Sequence, residues 1–260
     1  MRVNRSADAQ RRAGILREMG LAPLWKLRAV APESTPSAVP MPAVVSADMM
    51  EAPVTGSERL AAIAAMDWQA LYASIAGCRA CGLGAQRKQA VPGVGDQSAD
   101  WLFVGAGPGA EEDARGEPFV GQAGKLLDAM LAAIGLKRGK NVYIANTVKC
   151  RPPDNRTPAD EEMAACRPYL ERQIELLQPK LVVALGRPAA QTLLEKEVKI
   201  SAARGQLFKY RDIPLIVTYH PAYLLRTLTD KAKAWEDLCL ARRTMQELTS
   251  VNATKSAKSD

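Results

Sequence analysis

Long apolar runs are missing from this chain of 260 residues. The longest, such as 181–185, have the length of a β-strand and fall far short of the roughly 20 apolar residues that a membrane-spanning helix needs. Arg2 and Arg5 lie near the N-terminus, but no continuous apolar segment follows them, as it would in a secretory leader. We therefore expect a cytoplasmic protein that has no membrane partner.

A dense basic run is also missing, although 35 lysines and arginines outnumber 28 acidic residues and give a net charge of +7. A positive surplus favours a polyanionic partner, because cations that neutralise phosphates release the counterions around them. A basic protein without such a partner would carry the same charge, so the charge alone leaves this choice open. Apolar residues make up 47% of the chain, which is typical of a globular protein.

Composition divides the chain into three regions. Residues 1–66 combine an amphipathic stretch at 12–28 with a segment, 30–54, that is rich in Pro, Ala, Ser and Val. This region predicts a helical arm and a flexible linker, and the arm either has no role or binds a protein partner. We expect one compact domain over 67–248, an unstructured tail over 249–260, and a monomer.

The domain alternates short apolar runs with amphipathic segments. Four runs predict strands that are buried on both faces: 101–105, 142–148, 181–186 and 215–220. The segments between them have helical spacing, and Thr157 followed by Pro158 predicts a helix start. The alternation predicts an α/β fold with three layers, α/β/α, around a central, mainly parallel four-stranded sheet. Ligands bind such sheets at the carboxyl ends of the strands.

The first predicted strand runs into a glycine-rich turn, Gly-Ala-Gly-Pro-Gly at 105–109. Such a turn after a strand also opens dinucleotide-binding sites. Two features argue against a nicotinamide or flavin site. The acidic segment 111–118 ends in proline and predicts no helix start, and the second strand does not end in an acid that could hold a ribose. Because glycine has no Cβ, the turn can still bring its backbone N–H groups close to a ligand.

Two polar side chains follow the second and fourth predicted strands. The amide of Asn146 both donates and accepts, which suits it to read a base edge, although an asparagine there could also form a turn. His220 is the single histidine of the chain and precedes a proline. A lone histidine is often structural, but at the carboxyl end of a central strand a chemical role becomes equally plausible.

The five cysteines do not form the two close pairs that are typical of zinc ribbons. Cys78 and Cys81 form a C-x2-C pair, whereas Cys150 and Cys166 are single. A reducing cytoplasm disfavours disulfides, so bound metal or buried thiols remain. Four cysteines can hold a [4Fe–4S] cluster, and zinc stays an alternative. Cys239 lies in a helical segment, where we expect a buried small residue.

Together these motifs resemble the family 4 uracil-DNA glycosylases, the iron–sulfur members of the uracil-DNA glycosylase superfamily. The resemblance covers about 70–248. Besides the cysteines and the turn, it rests on Gly-Glu-Pro-Phe-Val-Gly at 116–121, Asn-x3-Cys-Arg-Pro-Pro at 146–153 and His-Pro-Ala-Tyr at 220–223. It implies base excision repair, in which the N-glycosidic bond of a flipped-out deoxyuridine in DNA is hydrolysed to leave an abasic site. It also implies a structural [4Fe–4S] cluster on Cys78, Cys81, Cys150 and Cys166.

The resemblance further assigns site residues. Phe119 would stack on the flipped base, and Asn146 would read its edge and reject cytosine. His220 and backbone N–H groups of the turn would stabilise the negative charge that grows on uracil. Arg226 lies in a segment that would press on the DNA, and it is a candidate phosphate contact. The turn residues in question are Gly107, Pro108 and Gly109.

One position departs from the family pattern. The turn usually reads Gly-Glu-x-Pro-Gly, and Ala106 stands in place of the glutamate. A carboxylate there can orient the attacking water and stabilise a cationic sugar. Asn155 would position the water, as the matching asparagine is thought to do in the family, and we expect a slower enzyme. Glu111, Glu112 or Asp113 could substitute for the missing acid or could instead hold the loop.

Three other interpretations remain. A non-catalytic [4Fe–4S] DNA-binding protein could keep the pocket and have lost its chemistry through Ala106. A glycosylase could prefer another deaminated base, although Asn146 favours uracil. A redox or dinucleotide enzyme is opposed by the missing ribose-binding acid. Release of uracil, as against retention of DNA, distinguishes the first of these from an active enzyme.

Overall fold

The structure is a computed structural model that describes residues 56–256, with side chains described as far as residue 250. Most of the predicted arm and linker, and the last four residues of the predicted tail, lie outside the described residues. The protein partner predicted for the arm therefore stays a prediction. No helix in the described part of the chain is long and apolar enough to cross a membrane.

One six-stranded sheet organises the domain. Its strands are β1 (Val94–Gly95), β2 (Trp101–Gly105), β3 (Val142–Asn146), β4 (Leu181–Leu185), β5 (Leu207–Tyr210) and β6 (Ile213–Thr218). Their order across the sheet is β1-β3-β2-β4-β6-β5. The four inner strands are parallel, and the register sets Gly105 beside Asn146. The two edge strands run antiparallel to their neighbours.

The predicted mixed α/β class with a mainly parallel sheet is confirmed, but the sheet has six strands and not four. The four predicted runs correspond to the inner strands, whose apolar side chains are buried on both faces. Both edge strands were missed for a physical reason. β1 has two residues, and β5 exposes Leu207 and Lys209, so neither forms an apolar run. β3 ends at Asn146, two residues earlier than predicted, and β6 ends at Thr218.

The helices are α1 (Gly56–Ala64), α2 (Trp68–Gly77), α3 (Leu83–Gln86), α4 (Ala110–Arg115), α5 (Gln122–Ala133), α6 (Asp160–Leu177), α7 (Arg187–Leu194), α8 (Ile200–Ala203), α9 (Pro221–Leu224) and α10 (Lys231–Ser256). α6 and α7 pack on one face of the sheet, and α5 and α10 pack on the other. The side chains of successive strand residues alternate between these two cores, as the two-residue period of a strand requires.

Two helices extend past the predicted domain boundaries. α1 falls within the region predicted as arm and linker, yet it packs on α6. Arg59 Nη2 donates to the carbonyl oxygen of Ala165 at 3.1 Å, and Ile63 is 2% exposed. At the other end α10 continues to Ser256, past the predicted boundary at 248. The division of the chain into arm, domain and tail stays a prediction.

The predicted start of α6 also needs correction. The helix begins at Asp160 with Ala159, not Thr157, as its N-cap residue. The carboxylate of Glu162 accepts the backbone N–H of Ala159 at 2.8 Å and the guanidinium of Arg156. A side chain within the first turn thus satisfies the N–H that a capping threonine would otherwise serve.

Candidate active site and four-cysteine site

A cavity of about 490 Å³ opens where the parallel strands end. The loops that follow β2, β3, β4 and β6 line it, as the strand-end rule predicts for a parallel sheet. It brings together all the predicted site residues other than the cysteines: Ala106, Gly107, Pro108, Gly109, Phe119, Asn146, Asn155, His220 and Arg226. Their individual roles stay predictions.

Asn146 ends β3 and is 1% exposed. Within the described part of the chain, its Oδ1 is the one buried side-chain polar atom that has no hydrogen-bond partner. Buried polar atoms are nearly always paired, so an unpaired acceptor at a cavity indicates a ligand that donates a hydrogen bond there. Gly105 makes this arrangement fit, because a Cβ on it would come within 2.5 Å of Asn146 Oδ1 and of the Phe119 ring.

Phe119 is held in a strained conformation. Its φ of +54° lies in the left-handed region, which a bulky side chain rarely adopts. Arg138 stabilises the loop: its guanidinium donates to the carbonyl oxygens of Pro118 at 2.9 Å and Phe119 at 2.7 Å, and it pairs with Asp128. The Phe119 ring stacks on His220 with 5.5 Å between ring centroids, so both rings bound the same side of the cavity.

His220 caps the short helix α9. Its Nδ1 accepts the backbone N–H of Ala222 at 3.1 Å, which fixes the proton of a neutral ring on Nε2. Burial lowers the pKa of His220 to about 4; the charge of Arg226 acts in the same direction, and Glu112 opposes it. At neutral pH the ring is therefore an uncharged donor through its Nε2–H.

The glycine-rich turn leads directly into α4, which corrects the expectation that no helix starts there. The Glu112 carboxylate already occupies the N–H groups near this helix start. It accepts from Gly109 at 3.1 Å, Val120 at 2.9 Å and Gly121 at 3.0 Å. Those N–H groups are not free for a pyrophosphate, nor is that of Gly109 free for uracil. Because proline has no N–H, Gly107 is the remaining donor among residues 107–109 of the turn.

Three acids could substitute for the glutamate that is missing at position 106, and they lie in different places. Glu112 lines the cavity, and of the described residues that line it, this is the one acid. Asp113 is 2% exposed and accepts the backbone N–H of Lys88 at 2.9 Å, so it holds a loop. Glu111 is exposed on α4.

Asn155 lies at the exposed rim of the cavity with a φ of +55°. Its Oδ1 accepts from Arg151 Nε at 2.7 Å. A carbonyl oxygen has two lone pairs, so this bond leaves one for a water molecule. The contact with Arg151 also orients the amide.

Sequence reasoning missed Arg187, which lines the cavity. Tyr223, which also lines it, and the exposed Leu225 belong to the segment 221–226 that the resemblance predicts to press on the DNA. Arg187 follows the third inner strand after Gly186, whose φ is +86°. The strand-end rule that singled out Asn146 and His220 applies equally to this position and would have found it.

A second cavity is lined by the four cysteines that the sequence singled out. Cys78 and Cys81 follow α2, Cys150 follows β3, and Cys166 lies in α6. The fifth, Cys239, is half-buried in α10, far along the chain from the other four.

Cationic and N–H donor groups surround these thiols. Arg87 Nη1 donates to Cys150 Sγ at 2.9 Å, and the backbone N–H of Lys149 donates to Cys166 Sγ at 3.3 Å. Burial raises the pKa of Cys166 to about 12, and the charge of Lys149 opposes this. Among residues 56–250, no three His, Cys, Asp or Glu side chains converge closely enough to hold a single metal ion.

A family model described as the uracil DNA glycosylase superfamily matches residues 92–239. The match covers more than half of the chain and includes every predicted residue of the larger cavity. The chain belongs to the uracil-DNA glycosylase superfamily. Cys78 and Cys81 precede the matched segment.

Relatives of known type refine this membership. A type-4 uracil-DNA glycosylase of Pyrobaculum aerophilum is 43% identical over 183 residues, which are 67% of this chain and 93% of that protein. One from Archaeoglobus fulgidus is 47% identical over 159 residues, 58% of this chain and 79% of that protein. One from Thermotoga maritima is 44% identical over 158 residues, which are 60% of this chain and 82% of that protein. The predicted membership of family 4 in the superfamily is confirmed.

The protonation of His220 is directly testable, because a single histidine gives unambiguous NMR signals. We expect the imidazole signals of the folded protein to stay constant from pH 8 to pH 5 and to shift only toward about pH 4. In urea the same ring should titrate near its ordinary value of about 6.5. Since the unfolded chain then takes up this proton first, the free energy of unfolding should fall as pH drops from 6.5 toward 4. A folded-state midpoint near 6.5 would contradict the assignment.

Proposed function

We propose that this protein is a uracil-DNA glycosylase that hydrolyses the N-glycosidic bond of deoxyuridine flipped out of DNA. The observation that carries the proposal is the unpaired Oδ1 of Asn146 at the cavity wall. The membership of the chain in the superfamily and the type-4 relatives support it independently.

Asn146 would distinguish uracil from cytosine. Uracil N3–H can donate to Oδ1 while the side-chain NH₂ donates to uracil O4. Cytosine presents an acceptor at N3 and a donor at C4, so the same amide would meet it with both bonds mismatched. A site that leaves buried polar groups unpaired with the wrong ligand discriminates strongly. Phe119, whose ring bounds the cavity, would cover one face of the base.

His220 would assist the departure of uracil. As the bond between N1 and C1′ breaks, its electron pair passes to the base and negative charge grows on O2. The neutral imidazole can donate its Nε2–H to that oxygen, and the backbone N–H of Gly107 can add a second donor. Donors fixed in advance in a water-poor cavity need no rearrangement when the charge develops.

Water completes the reaction at C1′. Its oxygen bonds to that carbon, one proton of the water is released, and a proton ends on uracil. Ala106 has a methyl group where the family glutamate would orient this water, so Asn155 is the residue at the rim that can position it. Glu112 cannot easily serve as a base, because three backbone N–H groups hold its carboxylate.

DNA would approach the rim of the cavity. Arg226 and Arg187 lie there and have no ion-pair partner among residues 56–250, so phosphates could pair with them. The net charge of +7 would add a salt-dependent attraction. Leu225, which is 42% exposed, could fill the gap that a flipped nucleotide leaves in the stack.

The four cysteines fit a [4Fe–4S] cluster. Such a cluster gives each thiolate its own iron, so the sulfurs surround a cavity and do not converge on one ion. The guanidinium groups of Arg87 and Arg59 and the backbone N–H of Lys149 approach the cysteine sulfurs, which suits a group of net negative charge. The cluster would supply structural cross-links between α2, the segment after β3, and α6, and no step of the hydrolysis passes through it.

The proposal predicts that brown, iron-loaded protein releases uracil from a labelled uracil-containing oligonucleotide in single-turnover assays at low salt. Asn146→Ala should slow release by about 10²-fold or more, because it removes both hydrogen bonds to the base. Binding of undamaged duplex is the control and should not change. Tight DNA binding without uracil release, with enzyme in excess, would instead favour the non-catalytic DNA-binding protein that Ala106 makes conceivable.

Restoring the acid in the turn should accelerate the reaction. Ala106→Glu is expected to raise the single-turnover rate by about 10²–10⁴-fold, the usual contribution of a positioned acid–base group. Ala110→Glu adds the same charge at an exposed position on α4 that does not line the cavity, and should have little effect. Equal rates for both variants would show that Ala106 does not occupy a catalytic position.

Removing one proposed cluster ligand should release iron. We expect Cys150→Ser to lose the brown colour and most of its iron, because oxygen is a poor substitute for thiolate on iron. Cys239→Ser should keep the iron content of the wild type, since this cysteine does not line the four-cysteine cavity. Full iron retention in Cys150→Ser would exclude Cys150 as a ligand.

A further inference from the structure

Lys149 is a buried lysine that none of the steps above uses. It is 1% exposed, and its Nζ donates to the carbonyl oxygen of Asn146 at 2.7 Å and to Gln173 Oε1 at 2.6 Å. Both of these partners are neutral. None of the ion pairs among residues 56–250 includes Lys149.

A buried ammonium needs a counter-charge, because moving a lone charge out of water is costly. Lys149 lines the same cavity as Cys150 and Cys166. Its backbone N–H also donates to Cys166 Sγ at 3.3 Å. A [4Fe–4S] cluster bound by four thiolates carries net negative charge, so the cluster proposed above would supply the charge that Lys149 lacks.

We propose that Lys149 is a positioning residue that couples the cluster to the recognition of uracil. The cluster holds the ammonium in place, and the ammonium fixes the backbone carbonyl of Asn146, whose side chain reads the base. Loss of the cluster would then weaken the binding of the base more than the binding of the DNA backbone, because Arg226 lies on a separate loop. The inference rests on the function proposed above.

Lys149→Met tests the coupling, because methionine has a similar length but no charge and no donor. The probe is free uracil, whose dissociation constant is measured by calorimetry, together with iron content and the reduction potential of the cluster. We expect wild-type iron content, uracil binding weakened about tenfold, which is within the usual range of coupling between sites, and a more negative reduction potential. The potential should fall because a positive charge near the cluster favours the reduced state.

Gln173→Leu is the matched control. It removes the bonds of Gln173 to Lys149, Pro92 and Tyr143 in the same buried network but leaves the contact between Lys149 and Asn146. Uracil affinity and reduction potential should stay close to those of the wild type. Equal weakening of uracil binding in this variant and in Lys149→Met would show a general loosening and overturn the inference.

Further results distinguish a failure of the proposed coupling from a failure of the proposed function. If Lys149→Met loses iron, uracil affinity is compared between iron-loaded and chelator-treated wild-type protein, and an unchanged affinity would overturn the coupling. Unchanged affinity and potential in iron-loaded Lys149→Met would do the same. Wild-type protein that binds no uracil would contradict the proposed function itself, whatever the variants do.

Discussion

The burial of five consecutive residues, 146–150, fixes the relation between the two cavities. Asn146 ends β3, and residues 147–150 have no regular structure, so each of their buried backbone polar groups needs its own partner. The backbone N–H groups of Thr147 and Val148 donate to the carbonyl oxygens of Gly105 and Ala106, and that of Lys149 donates to Cys166 Sγ. A shift at either end of the segment would break several buried hydrogen bonds. The positions of Asn146 and of Cys150 therefore depend on one continuous buried piece of backbone.

Close packing at the larger cavity involves the same segment. A Cβ on Gly105 would overlap both Asn146 and Phe119, and a Cβ on Gly124 would overlap the Phe119 carbonyl at 1.8 Å. Phe119 keeps its left-handed backbone because Arg138 binds its carbonyl oxygen and Gly124 packs closely against the same carbonyl. Strain of this kind typically occurs where a side chain must be held ready for a ligand. The position of the Phe119 ring is therefore maintained at a cost in the stability of the fold.

The inner strands could be predicted because short apolar runs mark them in the sequence, and the strand-end rule then points to the residues that follow them. The edge strands could not, since a two-residue strand such as β1 has no period. α4 is six residues long and has three acids in its first turn. The role of Glu112 among them appears only in the structure, where it accepts the backbone N–H groups around it. Lys149 has no sequence signal at all, because a buried lysine and an exposed one look the same in a sequence. Its environment arises largely from Cys166 and Gln173 of α6, which are distant along the chain.

Charge balance in the transition state explains why the absence of a glutamate at 106 should affect rate more than binding. As the glycosidic bond breaks, the sugar becomes positive and the base negative. In the proposed reaction the negative phosphates on either side of the flipped nucleotide would attract the positive sugar, whereas the negative base would depend on donors from the protein, which we propose to be His220 and the turn. A neutral His220 is suited to this task, because it donates a hydrogen bond without adding a charge that burial would penalise. What Ala106 removes is chiefly an acceptor that orients water, and water orientation is required only in the bond-making step.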